Sequence, residues 1–582
     1  MPRSIALSLL TGLLLSACGS LAPNPGTPGS PGNPGSPSKP GNPGNPSNPG
    51  SPTPGSTDPE LLPAQDYEAG KNAFGTPPGD ASSKGQWSRI IQNWPTLTIH
   101  TTLLPDGKVL TFGGNDYSDW QKYADQPSVR YNNKIDLWDP SHPDPASPAA
   151  HTDISFVGDA LFCGGHTLLP DGRLLITGGD DLSKLEEPYS YEAGIAAVNI
   201  YDYRTKTWTK GKDMKEKRWY PTNLVLPDGD VLVMGGNREN NGDLSDLPEV
   251  FDPESGKWRA LSGAVQKTEF YPWLFNLSDG RVINVGGGIP SQVASQTSTG
   301  IYDTAGAGKF TVYDRGDNRF RDYGTAVMFD TDKILVLGGG GDANKRFNPK
   351  VEPPTNSALV VTYDPNTKQA SKGVPTGSMS VGRRHAVATL LPDGTVLVTG
   401  GTSGLGFSDY KTAVLTTELW NPSTGTFSQL APMNVARVYH STALLLPDAS
   451  VLVSGGGAYS QQPSTGYNTY KNAQIFRPPY FFKGARPRIQ SVSSAVLGYD
   501  QTFEVSTPDA GQIDKATLIR LGSVTHAFNM NQHSSSLNLV AQADGKLTLR
   551  SPANANLAPP GQYMLFILKN GVPSVSRIVT LK

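Results

Sequence analysis

Cysteine, tyrosine and histidine occupy six of seven equivalent positions along the sequence, and these residue types are suited to metal and redox chemistry. The 582-residue chain contains only 2 Cys, 22 Tyr and 8 His, so chance is an unconvincing explanation. Each position lies seven residues before the proline, or its equivalent, of a recurring turn. We call these the ring positions: Thr98, Cys163, Tyr220, Tyr271, Tyr323, His385 and His440.

The residues next to two ring positions make the predicted chemistry more specific. Tyr439 directly precedes His440, and Arg218 and Trp219 directly precede Tyr220. Imidazole and phenolate ligands together suit Cu(II), which favours tetragonal coordination by nitrogen and oxygen. The pattern therefore indicates a copper site.

An alternative interpretation is that large side chains at the ring positions simply fill a central channel. Channel filling is a sufficient explanation for Tyr271 and Tyr323, but it explains Cys163 and His440 poorly.

A repeated unit must position these side chains. It runs through an apolar strand, a turn that is usually Asp-Gly, a second apolar strand and Gly-Gly, with a period near 50 residues. Asp-Gly between β-branched runs predicts a β-hairpin, and the period with its double glycine is typical of kelch-type blades. Seven copies predict a seven-bladed β-propeller over residues 85–484. The turns are Pro105-Asp106-Gly107, Pro170-Asp171-Gly172, Pro227-Asp228-Gly229, Ser278-Asp279-Gly280, Asp330-Thr331-Asp332, Pro392-Asp393-Gly394 and Pro447-Asp448-Ala449.

The last unit ends at Ile475–Pro478 without a fourth strand, whereas a stray strand at Gly85–Ser88 precedes the first hairpin. Pairing the two would close the ring and remove its open edges. From residue 485 to 582 short alternating strands follow, which predict an immunoglobulin-like β-sandwich without the disulfide. We expect these strands at Gln501–Val505, Lys515–Arg520, Leu537–Ala541, Leu547–Arg550 and Tyr563–Leu568.

The first eighteen residues have the features of an export signal. Arg3 precedes an apolar run, Ile5–Leu15, that is too short to span a bilayer. The tetrad Leu15-Ser16-Ala17-Cys18 resembles the lipobox of bacterial lipoproteins, in which the cysteine is lipidated. The alternative is an ordinary signal peptide with a chance cysteine. Either interpretation places the protein outside the cytoplasm, anchored to a membrane or cell surface or secreted.

Composition predicts a tether and excludes several classes of protein. Residues 23–56 contain 12 Pro and 8 Gly, so we assign residues 19–84 to a disordered or extended tether. A net charge of -2 lacks the electrostatic footprint of a nucleic-acid-binding protein. Two cysteines cannot supply a disulfide framework.

Four motifs together resemble the radical copper oxidases, the family that includes galactose oxidase and glyoxal oxidase. The resemblance extends from about residue 85 to residue 582, and the motifs stand in the family's order and repeat phase. They are Phe162-Cys163-Gly164-Gly165-His166, Arg218-Trp219-Tyr220, Arg437-Val438-Tyr439-His440-Ser441 and Val524-Thr525-His526-Ala527-Phe528-Asn529.

The resemblance implies a specific site. One copper ion would be bound by Tyr220, Tyr439, His440 and His526, with His526 delivered by a loop of the C-terminal domain. Cys163 would form a thioether bond with Tyr220, which creates a radical cofactor. The implied reaction oxidises an alcohol or aldehyde and reduces O2 to H2O2, with Tyr439 as the general base.

The sequence departs from galactose oxidase at two places. Arg238 aligns with the tryptophan that galactose oxidase stacks over the thioether bond, and Phe270–Trp273 looks more like glyoxal oxidase. We therefore expect a small aldehyde or primary alcohol as substrate rather than galactose. The residues expected to surround the ligands without binding the metal are Arg238, His385, Tyr271 and Tyr323.

The remaining histidines have no predicted function, and few binding partners are expected. We interpret His166 as a buried strand residue, and we find no functional signal at His100, His142, His151 or His533. We expect a monomer that contacts membranes only through its lipid anchor and does not bind nucleic acid. The alternative function is a non-catalytic extracellular propeller that binds glycan or protein.

Overall fold

The computed structural model describes most of the chain beyond the predicted tether. Cys18 and the Pro/Gly-rich segment lie outside the described residues, so the predicted lipobox stays a prediction. The described residues are 66–113, 131–181, 193–239, 243–289, 299–317, 319, 321–340, 352–406, 409–457 and 469–582.

Seven antiparallel sheets form the blades of a β-propeller, as predicted. Strand β1 (Gln86–Trp87) precedes them. Blade 1 contains β2 (His100–Leu103), β3 (Val109–Phe112), β5 (Ile135–Trp138) and β6 (His151–Asp153), beside a ribbon of β4 (Tyr131–Asn133) and β7 (Phe156–Gly158). Blade 2 contains β8 (Gly165–Leu168), β9 (Leu174–Thr177), β10 (Val198–Asp202) and β11 (Thr207–Lys210). Blade 3 contains β12 (Thr222–Val225), β13 (Val231–Met234), β14 (Glu249–Asp252) and β15 (Lys257–Ala260).

The remaining blades repeat this plan. Blade 4 contains β16 (Phe270–Asn276), β17 (Val282–Ile289), β18 (Gly300–Asp303) and β19 (Lys309–Val312). Blade 5 contains β20 (Thr325–Asp330), β21 (Lys333–Leu337), β22 (Ala358–Asp364), β23 (Gln369–Ala370) and β24 (Val374–Pro375). Blade 6 contains β25 (Val387–Leu390), β26 (Val396–Thr399), β27 (Glu418–Asn421) and β28 (Thr426–Gln429). Blade 7 contains β29 (Ser441–Leu445), β30 (Val451–Gly455) and β31 (Ala473–Arg477).

Turn chemistry explains why each predicted hairpin forms. In the first turn, the Asp106 carboxylate accepts the backbone N–H of Lys108 at 3.2 Å, and Gly107 adopts a left-handed φ of 79°. A turn aspartate that bonds the backbone two residues on, followed by a left-handed residue, stabilises a tight turn. Ala449 takes the glycine's place in the last turn, with a φ of 68°.

Strand β1 closes the ring as predicted. Gln86 pairs with Arg477 and Trp87 pairs with Phe476, which makes β1 the outermost strand of blade 7. The first and last parts of the propeller are thereby joined in one sheet, and the edge of β31 is covered.

The C-terminal domain is the predicted β-sandwich, and all five expected strands are present. The strands are β32 (Ser491–Val492), β33 (Val496–Leu497), β34 (Thr502–Ser506), β35 (Lys515–Arg520), β36 (Ser523–Thr525), β37 (Phe528–Asn529), β38 (Ser534–Ala543), β39 (Lys546–Arg550), β40 (Gly561–Lys569), β41 (Val572–Pro573) and β42 (Arg577–Leu581). Its separate core includes Phe503, Leu518 and Leu565, all buried.

One hairpin leaves this domain and inserts into the propeller. Strand β36 pairs with β2 of blade 1, with Thr525 opposite His100 and Val524 opposite Thr101. It also contacts β8 of blade 2. The C-terminal domain thus contributes a strand to the innermost part of the ring.

Helical structure in the described residues is limited to single turns. A four-residue α-helix spans Ala81–Lys84. The 3₁₀ turns span Lys71–Ala73, Pro148–Ala150, Tyr410–Thr412, Pro479–Phe482 and Ala510–Gln512. In the part of the chain that the structure describes, no helix is long and apolar enough to cross a membrane.

Residues 66–84 do not behave as the predicted tether. Tyr67 and Ala69 are buried in the core shared with blade 7, and the Ala69 N–H donates to the Asp448 carboxylate at 2.9 Å. The Arg477 guanidinium lies over the Phe74 ring at 3.7 Å. The predicted end of the tether, at residue 84, is therefore too late. The proline-glycine composition ends near residue 56, and the contacts beyond it join segments that are far apart in sequence.

Candidate metal centre

Six ring positions share a rare backbone conformation. Each lies within the first two residues of the innermost strand of its blade or one to two residues before it, and each has a positive φ, which costs a residue other than glycine about 1–3 kcal/mol. Thr98, the seventh position, is not left-handed. The values are 60° at Cys163, 70° at Tyr220, 45° at Tyr271, 49° at Tyr323, 62° at His385 and 65° at His440.

Hydrogen bonds between blades support this strained backbone. The Tyr220 N–H donates to the Cys163 carbonyl at 2.9 Å, and the Tyr271 N–H donates to the Tyr220 carbonyl at 2.9 Å. The His385 N–H donates to the Tyr323 carbonyl at 2.7 Å. Neighbouring ring positions are therefore in direct contact.

Four buried arginines brace the same region, and the sequence analysis named only two of them, Arg218 and Arg437, as parts of motifs. Each donates to a glycine carbonyl at the end of the second strand of its blade: Arg218 to Gly235, Arg321 to Gly338, Arg383 to Gly400 and Arg437 to Gly455. The signal was visible, because each arginine stands two or three residues before a ring position.

The polar ends of four predicted ligands converge. The Tyr220 and Tyr439 hydroxyls lie 2.7 Å apart, and His526 Nε2 lies 2.9 Å from the Tyr220 hydroxyl. The His440 ring stacks on Tyr439, with 3.6 Å between centroids, and lies 4.7 Å from the His526 ring. These residues come from blades 3 and 7 and from the inserted hairpin.

The insertion explains how a residue of the C-terminal domain reaches the channel. His526 and Ala527 connect β36 to β37 with φ values of 46° and 70°. Positive φ at both central residues is the signature of a type I′ hairpin turn. The expected loop is therefore a two-residue turn, and the Thr325 hydroxyl anchors its tip by donating to the Ala527 carbonyl at 2.6 Å.

Hydrogen bonds orient both imidazoles through Nδ1. His440 Nδ1 lies 2.8 Å from the Gly457 carbonyl, and His526 Nδ1 lies 2.7 Å from the Thr525 hydroxyl. A bond from Nδ1–H to a carbonyl fixes the tautomer that carries its lone pair on Nε2. In His440 the lone pair available to a metal is thus on Nε2.

Burial sets the protonation of these groups. It lowers the pKa of His440 to about 3 and lowers the pKa of His526 well below its usual value. It also raises the pKa of Tyr220 well above 10, and the electrostatic interaction with Cys163 adds to the effect. The imidazoles are neutral at physiological pH, as metal binding requires, whereas a Tyr220 phenolate needs a nearby cation.

The donor set fits copper. Two imidazoles and two phenols meet the preference of Cu(II) for nitrogen and oxygen ligands. Among the described residues, no group of three or more His, Cys, Asp or Glu side chains could hold a metal ion. A metal at this centre would therefore depend on the tyrosines.

Cys163 lies beside this cluster and is fully buried. Its carbonyl accepts the Tyr220 N–H, and its own N–H donates to His100 Nε2 at 3.2 Å. The cysteine and the tyrosine of the expected thioether are thus neighbours, as the ring positions predicted.

Trp219, rather than Arg238, covers Tyr220. The Trp219 and Tyr220 rings stack at 3.6 Å with 9° between their planes. Arg238 instead forms ion pairs with Glu216 at 3.2 Å and Asp243 at 2.8 Å. Nearby carboxylates hold the Arg238 guanidinium, and the residue next to Tyr220 supplies the aromatic face instead.

The other expected neighbours do line the centre. Tyr271 stacks on the second face of Tyr220 at 4.6 Å. Tyr323 and His385 lie 4.3 Å apart, and each ring is 5.5 Å from Tyr439. They pack around the two tyrosines on both sides of the cluster.

His100, for which the sequence predicted no function, lies beside the metal centre. Its ring stacks on Phe112 at 4.3 Å, contacts His166 at 5.2 Å and lies 6.1 Å from His526. His166 is the buried strand residue that was expected. No local motif marks His100, because its contacts with Cys163, His166 and His526 come from blade 2 and from the C-terminal domain.

The remaining histidines stay apart from the centre. His151 pairs with Asp136 at 2.7 Å, His142 lies in an exposed turn, and His533 bonds the Leu557 carbonyl.

Comparison with known proteins gives two family matches in chain order. Residues 149–480 match the family described as glyoxal oxidase N-terminus. Residues 486–581 match the family described as galactose oxidase-like, early set domain. Together they span the propeller from the end of blade 1 and the sandwich.

Named relatives resemble the chain over most of its length. A galactose oxidase of Gibberella zeae is 29% identical over 521 residues, which are 85% of this chain and 70% of the relative. An aldehyde oxidase GLOX of Vitis pseudoreticulata is 26% identical over 546 residues, which are 86% of this chain and 98% of the relative.

A solved structure resembles both domains. It is described as a novel fungal alcohol oxidase with catalytic diversity among the AA5 family, in complex with copper. The TM-score is 0.72 at 26% identity, covering 86% of this chain and all of the other.

Proposed function

The chain belongs to the glyoxal oxidase family of copper-dependent oxidoreductases, and we propose that it oxidises a small aldehyde or primary alcohol while reducing O2 to H2O2. One observation carries this proposal. Two phenol hydroxyls and two imidazoles converge beside a buried cysteine, with 2.7 Å between the Tyr220 and Tyr439 hydroxyls.

The copper ligands in this proposal are Tyr220, Tyr439, His440 and His526. Their neutral imidazoles and the close approach of His526 Nε2 to the Tyr220 hydroxyl, at 2.9 Å, support the assignment. Copper bound here would supply one of the two one-electron acceptors that alcohol oxidation needs, and the Cys163-linked Tyr220 would supply the other.

Cys163 and Tyr220 form that second acceptor by a thioether bond. The S–H bond of Cys163 and one ring C–H bond of Tyr220 are replaced by a C–S bond. The two protons and two electrons released reduce O2 to H2O2. The direct hydrogen bond between the two backbones supports this pairing.

Tyr439 is the proposed proton acceptor. It is half-buried, whereas the other three ligands are buried, so its hydroxyl is the one best placed to meet a substrate. Tyr439 would take the proton of the substrate hydroxyl, which is the task of a positioned general base. Tyr220 would take hydrogen from the adjacent carbon.

The names of the relatives support a substrate class. Galactose, a primary alcohol and the hydrate of an aldehyde each contain a carbon that bears a hydroxyl, and the relatives are named for galactose, aldehyde and alcohol oxidation. We propose a small aldehyde or primary alcohol. Galactose is disfavoured because the segment Phe270–Trp273 does not reproduce the galactose-binding sequence.

The decisive experiment measures the thioether bond and peroxide in parallel. Copper-free protein given Cu(II) in air should lose the mass of two hydrogen atoms, and Cys163→Ser should not. A panel of alcohols and aldehydes should then release H2O2 with the wild type and not with Cys163→Ser. Unchanged wild-type mass together with no turnover across the panel would support the alternative, a non-catalytic propeller.

We further propose that the protein is exported and anchored through a lipid on Cys18, with residues 19–65 as the tether. The Leu15-Ser16-Ala17-Cys18 tetrad supports this. Cys18→Ser should move the protein from the membrane fraction to the soluble fraction, and labelled fatty acid should enter only the wild type. Equal fractionation of both proteins would contradict the anchor.

A further inference from the structure

Cys163 differs from three other ring positions in how its backbone N–H is bonded. Tyr220, Tyr271 and His385 each donate their N–H to the carbonyl of the preceding ring position. The Cys163 N–H instead donates to the side chain of His100, at Nε2 and 3.2 Å. A side chain thus replaces a backbone carbonyl at the one ring position that carries sulfur.

The topology explains this exception. Strand β36 contacts β8 and pairs with β2, so the inserted hairpin lies between blades 1 and 2. Elsewhere in the ring, the innermost strands of adjacent blades contact each other directly. The His100 ring spans the interrupted junction and reaches Cys163.

His100 is held firmly in this orientation. Its ring stacks on Phe112 at 4.3 Å with 5° between the planes, and its backbone pairs with Thr525. Burial lowers its pKa well below the usual value, so the imidazole is neutral and Nε2 can accept a hydrogen bond. His100 therefore joins Cys163 to the residue next to His526.

We propose that His100 is a positioning residue for the thioether bond: its Nε2 holds the left-handed backbone of Cys163, which directs the sulfur towards the ring of Tyr220. His100 itself gains or loses no proton and no electron in this step. The C–S bond replaces one S–H and one ring C–H, and O2 accepts the two protons and two electrons. This inference rests on the proposed function.

Two substitutions separate hydrogen bonding from packing. His100→Leu removes the acceptor, whereas His100→Gln offers an amide oxygen near the position of Nε2. His166→Leu is the matched control, because His166 is equally buried and contacts His100, whereas the Cys163 N–H donates to His100. Each copper-free variant receives Cu(II) in air, and intact mass records the loss of two hydrogen atoms over time. Thermal unfolding and copper content are measured alongside.

We expect His100→Leu to form the bond at least about tenfold more slowly than wild type, which is the order expected for one lost hydrogen bond. His100→Gln and His166→Leu should stay within about threefold of wild type. If His100→Leu fails to fold, the rate of His100→Gln decides: a near wild-type rate supports the inference, and a slow rate overturns it. Equal rates in wild type and folded His100→Leu also overturn it. No mass loss in the wild type would instead refute the proposed function.

Discussion

Tyr220 lies between two aromatic faces, and this arrangement bears on how stable an oxidised phenol would be. Trp219 covers one face at 3.6 Å and Tyr271 covers the other at 4.6 Å. The backbones of Trp219 and Asn237 exchange two hydrogen bonds of 2.9 Å, which hold the backbone that carries the indole. An electron-rich ring stacked on a phenol shares the electron deficiency left when that phenol is oxidised, and it thereby stabilises the oxidised form.

We therefore expect Trp219→Leu to shorten the lifetime of the oxidised, copper-loaded protein by about tenfold. The lifetime can be followed by the decay of its visible absorption, with copper content as a check on the ligands. Trp219→Phe keeps an aromatic face and should retain most of the lifetime. An unchanged lifetime in folded Trp219→Leu would assign the protection to other residues.

At the scale of elements, two added strands complete the propeller. The β36–β37 hairpin brings His526 to the metal centre, and β1 closes blade 7. Closure depends on Gly85, which has a φ of 73°. A β-carbon there would lie 2.5 Å from the Phe476 ring and 2.6 Å from the Arg477 carbonyl.

Gly85→Ala should consequently destabilise the protein more than a matched glycine substitution. Gly107 has a similar φ of 79°, but a β-carbon on it meets no atom within 4 Å. Gly107→Ala should cost about 1–2 kcal/mol for the backbone alone, and Gly85→Ala should cost at least about 2 kcal/mol more. Denaturant unfolding of both variants measures the difference. Similar losses of unfolding free energy in the two variants would mean that β1 shifts to accept the β-carbon without a further loss of stability.

At the scale of the whole molecule, buried histidines make the copper-free protein sensitive to acid. Burial lowers the pKa of His166 to about 3 and of His533 to about 4. Below the unfolded pKa, about 6.5, the unfolded chain binds protons that the native protein does not, so stability falls as pH falls. A half-buried carboxyl acts in the opposite sense: desolvation raises the pKa of Asp230 to about 6.

A single variant isolates the histidine contribution. The free energy of unfolding of His166→Leu, relative to wild type, should rise by about 2 kcal/mol between pH 7 and pH 5. The reason is that only the wild type carries the linked proton at residue 166. Denaturant titrations of copper-free protein at the two pH values provide the measurement. A difference independent of pH would show that His166 titrates alike in both states.

The features that the sequence determined by itself are local or periodic. The Asp-Gly turns, the alternating strands and the repeat phase predicted the propeller, the closing strand and the sandwich. The repeat also predicted that Cys163 and Tyr220 are neighbours, because equivalent positions in adjacent blades meet on one ring.

Only the tertiary structure decided which side chains support these residues. Trp219 rather than Arg238 stacks on Tyr220, His100 bonds Cys163, and residues 66–84 pack on blade 7. Each of these depends on where a side chain points or on segments separated by tens to hundreds of residues. Turn propensity and strand periodicity act within a few residues, so they carry no information about such contacts.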